Sequence, residues 1–216
     1  GLNNVVAVSA GGYHTLALKS DGTVVAWGNN GSFQSQVPAG LKGVVAISAG
    51  TSHSVAVKSD GTVVAWGDRD NYGMTNIPAG LADVVAIDAG SEHSIALKSD
   101  GTVVAWGDNS QGQCNVPAGL TNVVAVTAGG LGSVALKSDG TVVGWGDNFF
   151  GQATPPSGLS GVVKVVAAWD SSLALKADGT VVSWGSNSGG RNAVPASVAN
   201  AIDIAISGDG FHGVPY

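Results

Sequence analysis

The segment from Val5 to Gly28 reads VVAVSAGGYHTLALKSDGTVVAWG, and its reading decides the fold. Small, β-favouring residues run from Val5 to Ala10, a short turn follows at Gly11 to Tyr13, and a second strand is expected from Thr15 to Lys19 with Leu16 and Leu18 on one face. Ser20-Asp21-Gly22 is a hairpin signal, because an Asp-Gly pair accepts the positive φ that a tight turn needs, and a third strand is expected from Thr23 to Trp27. The segment recurs. Trp-Gly pairs stand at Trp27, Trp66, Trp106, Trp145 and Trp184, at spacings of 39, 40, 39 and 39 residues. The repeat divides the chain into units 5–43, 44–83, 84–122, 123–161 and 162–202, with a partial sixth over 203–216 that stops just after His212. Units of this size cannot bury an apolar face alone, so neighbours must stack. A ring of small sheets leaves only short, protected edges. The fold expected is therefore all-β: a β-propeller of repeated small antiparallel sheets, five complete repeats plus a partial sixth, forming one domain. An open β-solenoid is the competing architecture, though its units are usually shorter. Closure is the departure, because the last blade would lack parts.

Composition agrees with this reading. Charged residues make up 11 % of the chain, under half the roughly 25 % typical of soluble domains. The 34 glycines and seven prolines imply many turns, and Glu92 is the single glutamate, which argues against long helices. Between Pro38 and the next unit, a short or edge strand is all that a residue without an N–H allows. The longest apolar run, Val162 to Trp169, is broken by Lys164 and is too short to cross a bilayer as a helix, so membrane insertion is not expected. The sequence opens at Gly1 without a signal-type segment, as expected of a processed or excised chain. A net charge of −6 with no basic patch argues against nucleic acid. One cysteine, Cys114, excludes an internal disulfide and a multi-cysteine metal site.

The chemistry-bearing residues fall into structural patterns. His14, His53, His93 and His212 share one repeat position, held by Gly132 and Ser171 in the other copies. Equivalent positions in adjacent blades lie far beyond a metal–ligand bond, so these are read as structural histidines satisfying buried backbone groups. Asp21, Asp60, Asp100, Asp139 and Asp178 form an apparent carboxylate array, but each sits in the same Asp-Gly turn. The five Trp-Gly tryptophans are expected as core plates between blades. Gly208 to Gly213 matches G-x-G-x-x-G without the helix that motif needs. Asp68-Arg69-Asp70 with Gly73 lacks the later glutamate of a calcium loop. Asn30-Gly31-Ser32 is a glycosylation sequon. No G-x-S-x-G, H-E-x-x-H or P-loop occurs. An enzyme, a cofactor and a metal are accordingly not expected.

The pattern G-x-x-H-[ST]-x-A-[LV]-K-x-D-G-T-V-V-x-W-G, intact at Gly11 to Gly28, Gly50 to Gly67 and Gly90 to Gly107, resembles the repeat of the regulator of chromosome condensation family. The D-N-x-x-G-Q segments at Asp108 to Gln113 and Asp147 to Gln152 fit it as well. The resemblance covers essentially the whole chain and implies a β-propeller. The compact units are similar to those of the secreted bacterial β-lactamase inhibitor built on this propeller, which implies a bacterial, secreted, inhibitor-like binding protein at an extracellular or cell-surface location. Exchange-factor members use a protruding wedge; no insertion here exceeds one residue, so nucleotide exchange is not implied.

Strands alternate in direction, so the turn after strand one and the loop after strand three share a top face, and the Asp-Gly and Gly-Leu turns share the bottom. The bottom hardly changes between copies. The top varies and carries Tyr13, Phe33, Arg69, Tyr72, Glu92, Phe149, Phe150, Trp169, Asp170, Arg191 and Phe211, residue types favoured at binding hot spots. Asp68, Asp70, Glu92, Asp108, Asp147, Asp170 and Asp209 against Arg69 and Arg191 place nearly all the net charge on top. On the bottom, five turn aspartates balance five lysines, and Lys42 and Lys164 stand against Asp83, Asp88 and Asp203. The expectation is a non-catalytic protein-binding propeller whose acidic top face meets a partner with a basic or neutral patch. The alternatives are a glycan-binding module, with Trp169, Tyr13 and Phe149 stacking on sugar rings, and a structural repeat domain of a larger surface protein.

Overall fold

Each repeat folds into one antiparallel three-stranded sheet in the order of the chain. The computed structural model describes residues 1–68, 72–190, 192–195 and 197–206. Blade 1 holds β1 (Val5–Ala10), β2 (His14–Lys19) and β3 (Val24–Gly28); blade 2 holds β4 (Val44–Ala49), β5 (His53–Lys58) and β6 (Val63–Gly67). Blade 3 holds β7 (Val84–Ala89), β8 (His93–Lys98) and β9 (Val103–Gly107); blade 4 holds β10 (Val123–Ala128), β11 (Gly132–Lys137) and β12 (Val142–Gly146). Blade 5 holds β13 (Val162–Ala167), β14 (Ser171–Lys176) and β15 (Val181–Gly185). Register is set at the turn: Gly22 adopts φ 75° and donates its N–H to the Lys19 carbonyl, while Thr23 and Lys19 close the hairpin. The positive φ falls on the glycine and not on Asp21, whose side chain instead accepts from Thr23 N and Thr23 Oγ1. Around Pro38 no strand forms; Val37 and Leu41 are held in turns and pack against the blade 1–blade 2 core.

The first strand of every blade is innermost. Parts of all five first strands, together with residues 204–206, border one axial cavity of about 790 Å³, so the blades curve around a common axis. An inner edge strand has backbone N–H groups with no ladder partner, and side chains of the preceding blade supply acceptors. Ser9 Oγ accepts from Ala49 N at 3.0 Å, Ser48 Oγ from Ala89 N at 3.0 Å, Asp88 Oδ2 from Ala128 N at 2.9 Å and Thr127 Oγ1 from Ala167 N at 3.2 Å.

Between blades the apolar seam is built from the second and third strands on one side and the first strand and tryptophan on the other. Leu16, Leu18, Val24 and Leu41 of unit 1 meet Val44, Ile47 and Trp66 of unit 2. A polar latch repeats beside this seam. His14 Nε2 lies 2.7 Å from Ser54 Oγ, Ser54 donates to the Gln34 carbonyl at 2.8 Å, and Trp66 Nε1 donates to that same carbonyl at 2.9 Å. Because the serine proton is committed to the carbonyl, the imidazole must donate from Nε2. The same contact joins His53 to Ser94 and His93 to Ser133, both at 2.9 Å. The histidines are thus structural, but they satisfy a serine hydroxyl of the next blade rather than the backbone groups expected. Burial pushes His53 down to about 3 and His93 down to about 4, so both rings are neutral. The latch also dictates a glycine: a Cβ on Gly50 would lie 2.4 Å from His53 Cε1 and 2.5 Å from the Gly90 carbonyl oxygen.

One expectation is corrected at the end of the array. Trp66, Trp106, Trp145 and Trp184 are core plates, each 5–8 % exposed. Trp27 is 47 % exposed, because none of the described residues forms a blade against its side of blade 1. At the other end residues 203–206 lie against blade 5, where Ile204 is buried and Asp203 pairs with Lys164.

Candidate protein-binding face

The long top-face loops of blades 1, 3 and 4 are closed by hydrogen bonds of their own polar side chains. In blade 4, Asp147 Oδ1 accepts from Phe149 N at 3.1 Å and Asp147 Oδ2 from Gln152 Nε2 at 2.9 Å, while Gln152 Oε1 accepts from Phe150 N at 2.9 Å. Asp108 and Gln113 repeat this in blade 3, and Asn29 and Gln34 in blade 1. The glutamine carbonyl closing each of these loops then receives the tryptophan of the next blade, as Trp145 on Gln113 and Trp184 on Gln152. A side chain between Asp and Gln therefore points outward from a fixed frame. Blade 2 has one extra residue, and Asp68 organises its loop by accepting from Tyr72 N at 3.0 Å and Met74 N at 2.9 Å.

This frame presents aromatic side chains to solvent. Phe149 is 84 % exposed and meets Phe150 edge to face, ring centroids 4.8 Å apart. Phe33 and Tyr72 are exposed on the loops of blades 1 and 2. Phe33 has φ 64°, at a loop position where Gly73, Gly112, Gly151 and Gly190 stand with φ of 77–83°. Tyr13, Glu92 and Trp169 come from the short turns of blades 1, 3 and 5, and all three border the axial cavity. Trp169 is 41 % exposed, and its ring lies over Gly130, where a Cβ would come within 2.8 Å of the indole. The structure thus gathers Tyr13, Glu92 and Trp169 at one mouth, while Phe33, Tyr72, Phe149 and Phe150 sit outside that lining. Arg69, Arg191 and Phe211 lie outside the described residues, as do Asp70, Asp209 and His212.

The acidic character of the top is narrower than the sequence suggests. Asp68 and Asp170 are buried, at 6 % and 7 % exposure, so Asp170 is not a surface contact residue. Asp108 is partly buried, which raises its affinity for a proton, but bonds from Ser110 and Gln113 outweigh this and leave its carboxyl below the usual range. Glu92 is pushed up by burial first and by Asp108 second. The Cys114 thiol is pushed up to about 11 by burial and by Asp108, and it donates to the Asp108 carbonyl, which leaves it a poor nucleophile. The sequence counts Asp88 only as a charge away from the top face, and the structure corrects that placement. Asp88 lines the cavity and accepts from Ser48, Ala89 and Ala128, and burial still pushes its carboxyl upward. On the bottom, Lys19–Asp21, Lys58–Asp60, Lys98–Asp100, Lys137–Asp139 and Lys176–Asp178 pair within 3.5 Å, and this invariant arrangement is accounted for by the turn itself.

Comparison with known proteins adds a family. The model of the regulator of chromosome condensation (RCC1) repeat matches residues 5–34, 44–73, 84–113, 123–152 and 162–191. No curated protein sequence matches the chain. Among solved structures, the ectodomain of the Physcomitrella patens receptor kinase CR4 is 28 % identical with a TM-score of 0.74, over 89 % of this chain and 54 % of that one. Prp20p from Saccharomyces cerevisiae, described with its binding properties to Gsp1p and histones, is 24 % identical with a TM-score of 0.70, over 84 % of this chain and 57 % of that one. Human WBSCR16 is 19 % identical with a TM-score of 0.69, over 84 % of this chain and 61 % of that one. The chain thus spans between half and two thirds of these relatives' length.

Proposed function

The chain belongs to the regulator of chromosome condensation (RCC1) repeat family, and we propose that it is a non-catalytic protein-binding module that engages its partner through the top face. One observation carries the reading: exposed aromatic side chains are mounted on loops whose hydrogen bonding is complete without them. The loop of blade 3 closes with Ser110 and Gln111 where blade 4 has Phe149 and Phe150, so the fold does not require the two phenyl rings. Rigid aromatic anchors are the residue class that dominates binding energy at protein interfaces. Trp169, held over Gly130 and lining the same axial cavity as Tyr13 and Glu92, forms the axial part of this surface. The partner is a protein with a neutral or basic patch facing Glu92. The description of Prp20p by its binding to Gsp1p and histones supports a protein ligand for this fold.

The test uses the immobilised full chain to capture a partner, then compares variants. Phe149→Ala and Trp169→Ala should each weaken binding by about 2 kcal/mol or more, roughly thirtyfold, as aromatic hot spots do, with the thermal midpoint nearly unchanged for Phe149→Ala. Lys98→Ala, on the bottom, should change neither. Equal losses from top and bottom variants would refute the assignment of the face. Selective binding on a glycan array, abolished by Trp169→Ala, with no protein captured, would replace the protein ligand with a sugar.

A further inference from the structure

The axial cavity, about 790 Å³, falls in the range of about 300–1,000 Å³ that takes small ligands, and one carboxylate in its wall is not demanded by the fold. Ser9, Ser48, Asp88, Thr127 and Val166 hold one register position on the five first strands. At three of these positions a hydroxyl accepts a backbone N–H of the next blade, and Val166 has no acceptor to offer. Asp88 does for Ala128 N what a hydroxyl does elsewhere, and it adds a negative charge that burial alone disfavours. Its other oxygen accepts from Ser48 Oγ at 2.8 Å and Ala89 N at 3.0 Å, so dipoles surround it. Glu92, in the short turn of the same blade, lines the same cavity. Among the described residues neither carboxylate has an ion-pair partner. Lys164 is the one other charged residue of the lining, and its ammonium is paired with Asp203. Burial pushes the carboxyls of Asp88 and Glu92 upward, so a cation seated beside them is the charge their surroundings lack.

We infer that the axial cavity is a binding site for an organic cation, a primary ammonium or guanidinium group held by Asp88 and Glu92 with its alkyl stem against Trp169 and Tyr13. The lining selects this class by sign and by surface. An anion would meet two carboxylates, with the single lining ammonium already committed to Asp203. A metal ion is not matched, because no three metal-ligating side chains converge among the described residues. An organic cation uses both halves of the lining: the carboxylates take its charge, and the aromatic faces attract the cation and cover its stem. Enclosure helps, since charges inside a cavity are screened by salt less than exposed ones. The same chemistry comes from a free amine or from a Lys or Arg side chain of a protein partner. The inference rests on the top-face reading at its axial end, through Glu92, Trp169 and Tyr13, and adds the cavity behind them. Its test needs no captured protein, so either reading can fail while the other stands.

The test titrates the full chain with n-butylguanidinium and with n-butylurea, which has nearly the same shape and no charge. Binding is followed by NMR at the Trp169 indole proton, assigned with Trp169→Phe. Butylguanidinium should shift that signal saturably, and butylurea should not. Asp88→Ser keeps an acceptor for Ala128 N, as Ser48 does for Ala89 N, so its thermal midpoint should stay near that of the parent. Its affinity for butylguanidinium should fall about tenfold or more, as expected when one partner of an enclosed charge pair is removed. Glu92→Gln, in the turn, should weaken binding by a smaller factor and gives a second reading should Asp88→Ser melt early. N-acetyl-arginine amide separates the two sources. If it binds as butylguanidinium does, the cation is a side chain of a protein partner; if it is excluded while butylguanidinium binds, the ligand is a free amine. Equal shifts from butylurea and butylguanidinium would overturn the inference, as would affinity unchanged in both Asp88→Ser and Glu92→Gln. A cavity that takes a neutral sugar and neither cation would overturn it too, while a loss of protein capture in Phe149→Ala bears on the top-face reading alone.

Discussion

Trp27 and Trp106 stand at the same repeat position, follow the same Val-Val-Ala sequence and pair in the same register with the strand before them, yet one is 47 % exposed and the other 5 %. The difference lies wholly in what stands on the leading side. Trp106 has blade 2, whose Met74 carbonyl takes its indole proton at 2.9 Å; Trp27 has no such neighbour among the described residues. In a repeat protein a residue's energetic role is set by its neighbour rather than its own unit, because each unit contributes one half of two interfaces. The largest expected effect follows directly. Trp106→Ala should destabilise by about 3–5 kcal/mol, as deletion of a core aromatic does. Trp27→Ala should cost no more than about 1 kcal/mol, in the range of surface positions. Urea midpoints at constant slope measure both, and equal costs would show that the leading face is covered in solution.

Blade 1 is an end on one side only, and glycine sharpens the point. A Cβ on Gly11 would lie 2.1 Å from the Gly50 carbonyl oxygen, across the filled junction to blade 2. Gly11→Ala should therefore cost as much as Gly50→Ala, about 1–3 kcal/mol by overpacking, although it sits in the exposed blade. A much smaller cost for Gly11→Ala would mean that the first junction is looser than the others.

The fold was legible because the repeat encodes it redundantly: the 39–40-residue spacing, the Asp-Gly turns and the Leu-x-Leu faces each point to the same small sheet. The functional surface was less legible. A sequence pattern treats equivalent positions as equivalent, so it assigned Trp27 to the core with its four counterparts. It also counts every aspartate as surface charge, whereas Asp68 has both oxygens on backbone amides of its own loop. Asp88 reads from the sequence only as one more charge, because its role depends on β7 being an inner edge strand whose neighbour needs an acceptor, a fact of the assembled array. Phe149 and Phe150 were visible as departures from the loop consensus, and the structure adds that the loop closes without them.

The latch histidines make a further comparison between junctions. His53 is neutral in the folded chain, its pKa pushed down to about 3 by burial and then by the neighbouring histidines, while an unfolded histidine titrates near 6.5. The unfolded state therefore binds more protons below about pH 6.5, and stability should fall as pH drops from there towards 4. His53→Ala should shallow this acid limb, because one of the linked protons is removed. Substitution at Gly132, the corresponding position of blade 4, should leave the limb's slope unchanged. Midpoints measured from pH 7 to pH 4.5 decide it, and identical slopes for the parent and His53→Ala would show that the acid limb arises elsewhere.

The smallest effect separates folding from binding within blade 1 itself. Phe33 holds φ 64° at a loop position where the other four units place glycine. A left-handed backbone costs a non-glycine residue about 1–2 kcal/mol, and with the ring 53 % exposed little burial offsets it. The neighbouring contacts do not depend on the phenyl group, since Gln34 still accepts from Ser32 and its carbonyl still receives Trp66. Phe33→Gly should therefore stabilise, less the roughly 0.5–1 kcal/mol that glycine forfeits in the unfolded state, for a net gain of up to about 1 kcal/mol. If Phe33 belongs to the binding face, the same change should weaken capture of the partner, so stability and affinity move in opposite directions. The reciprocal Gly112→Phe should destabilise blade 3 without creating affinity. A Phe33→Gly variant that melts lower would mean that the ring supports the loop, and one that gains stability while binding unchanged would remove Phe33 from the binding face and leave Trp169 and Phe149 to carry it.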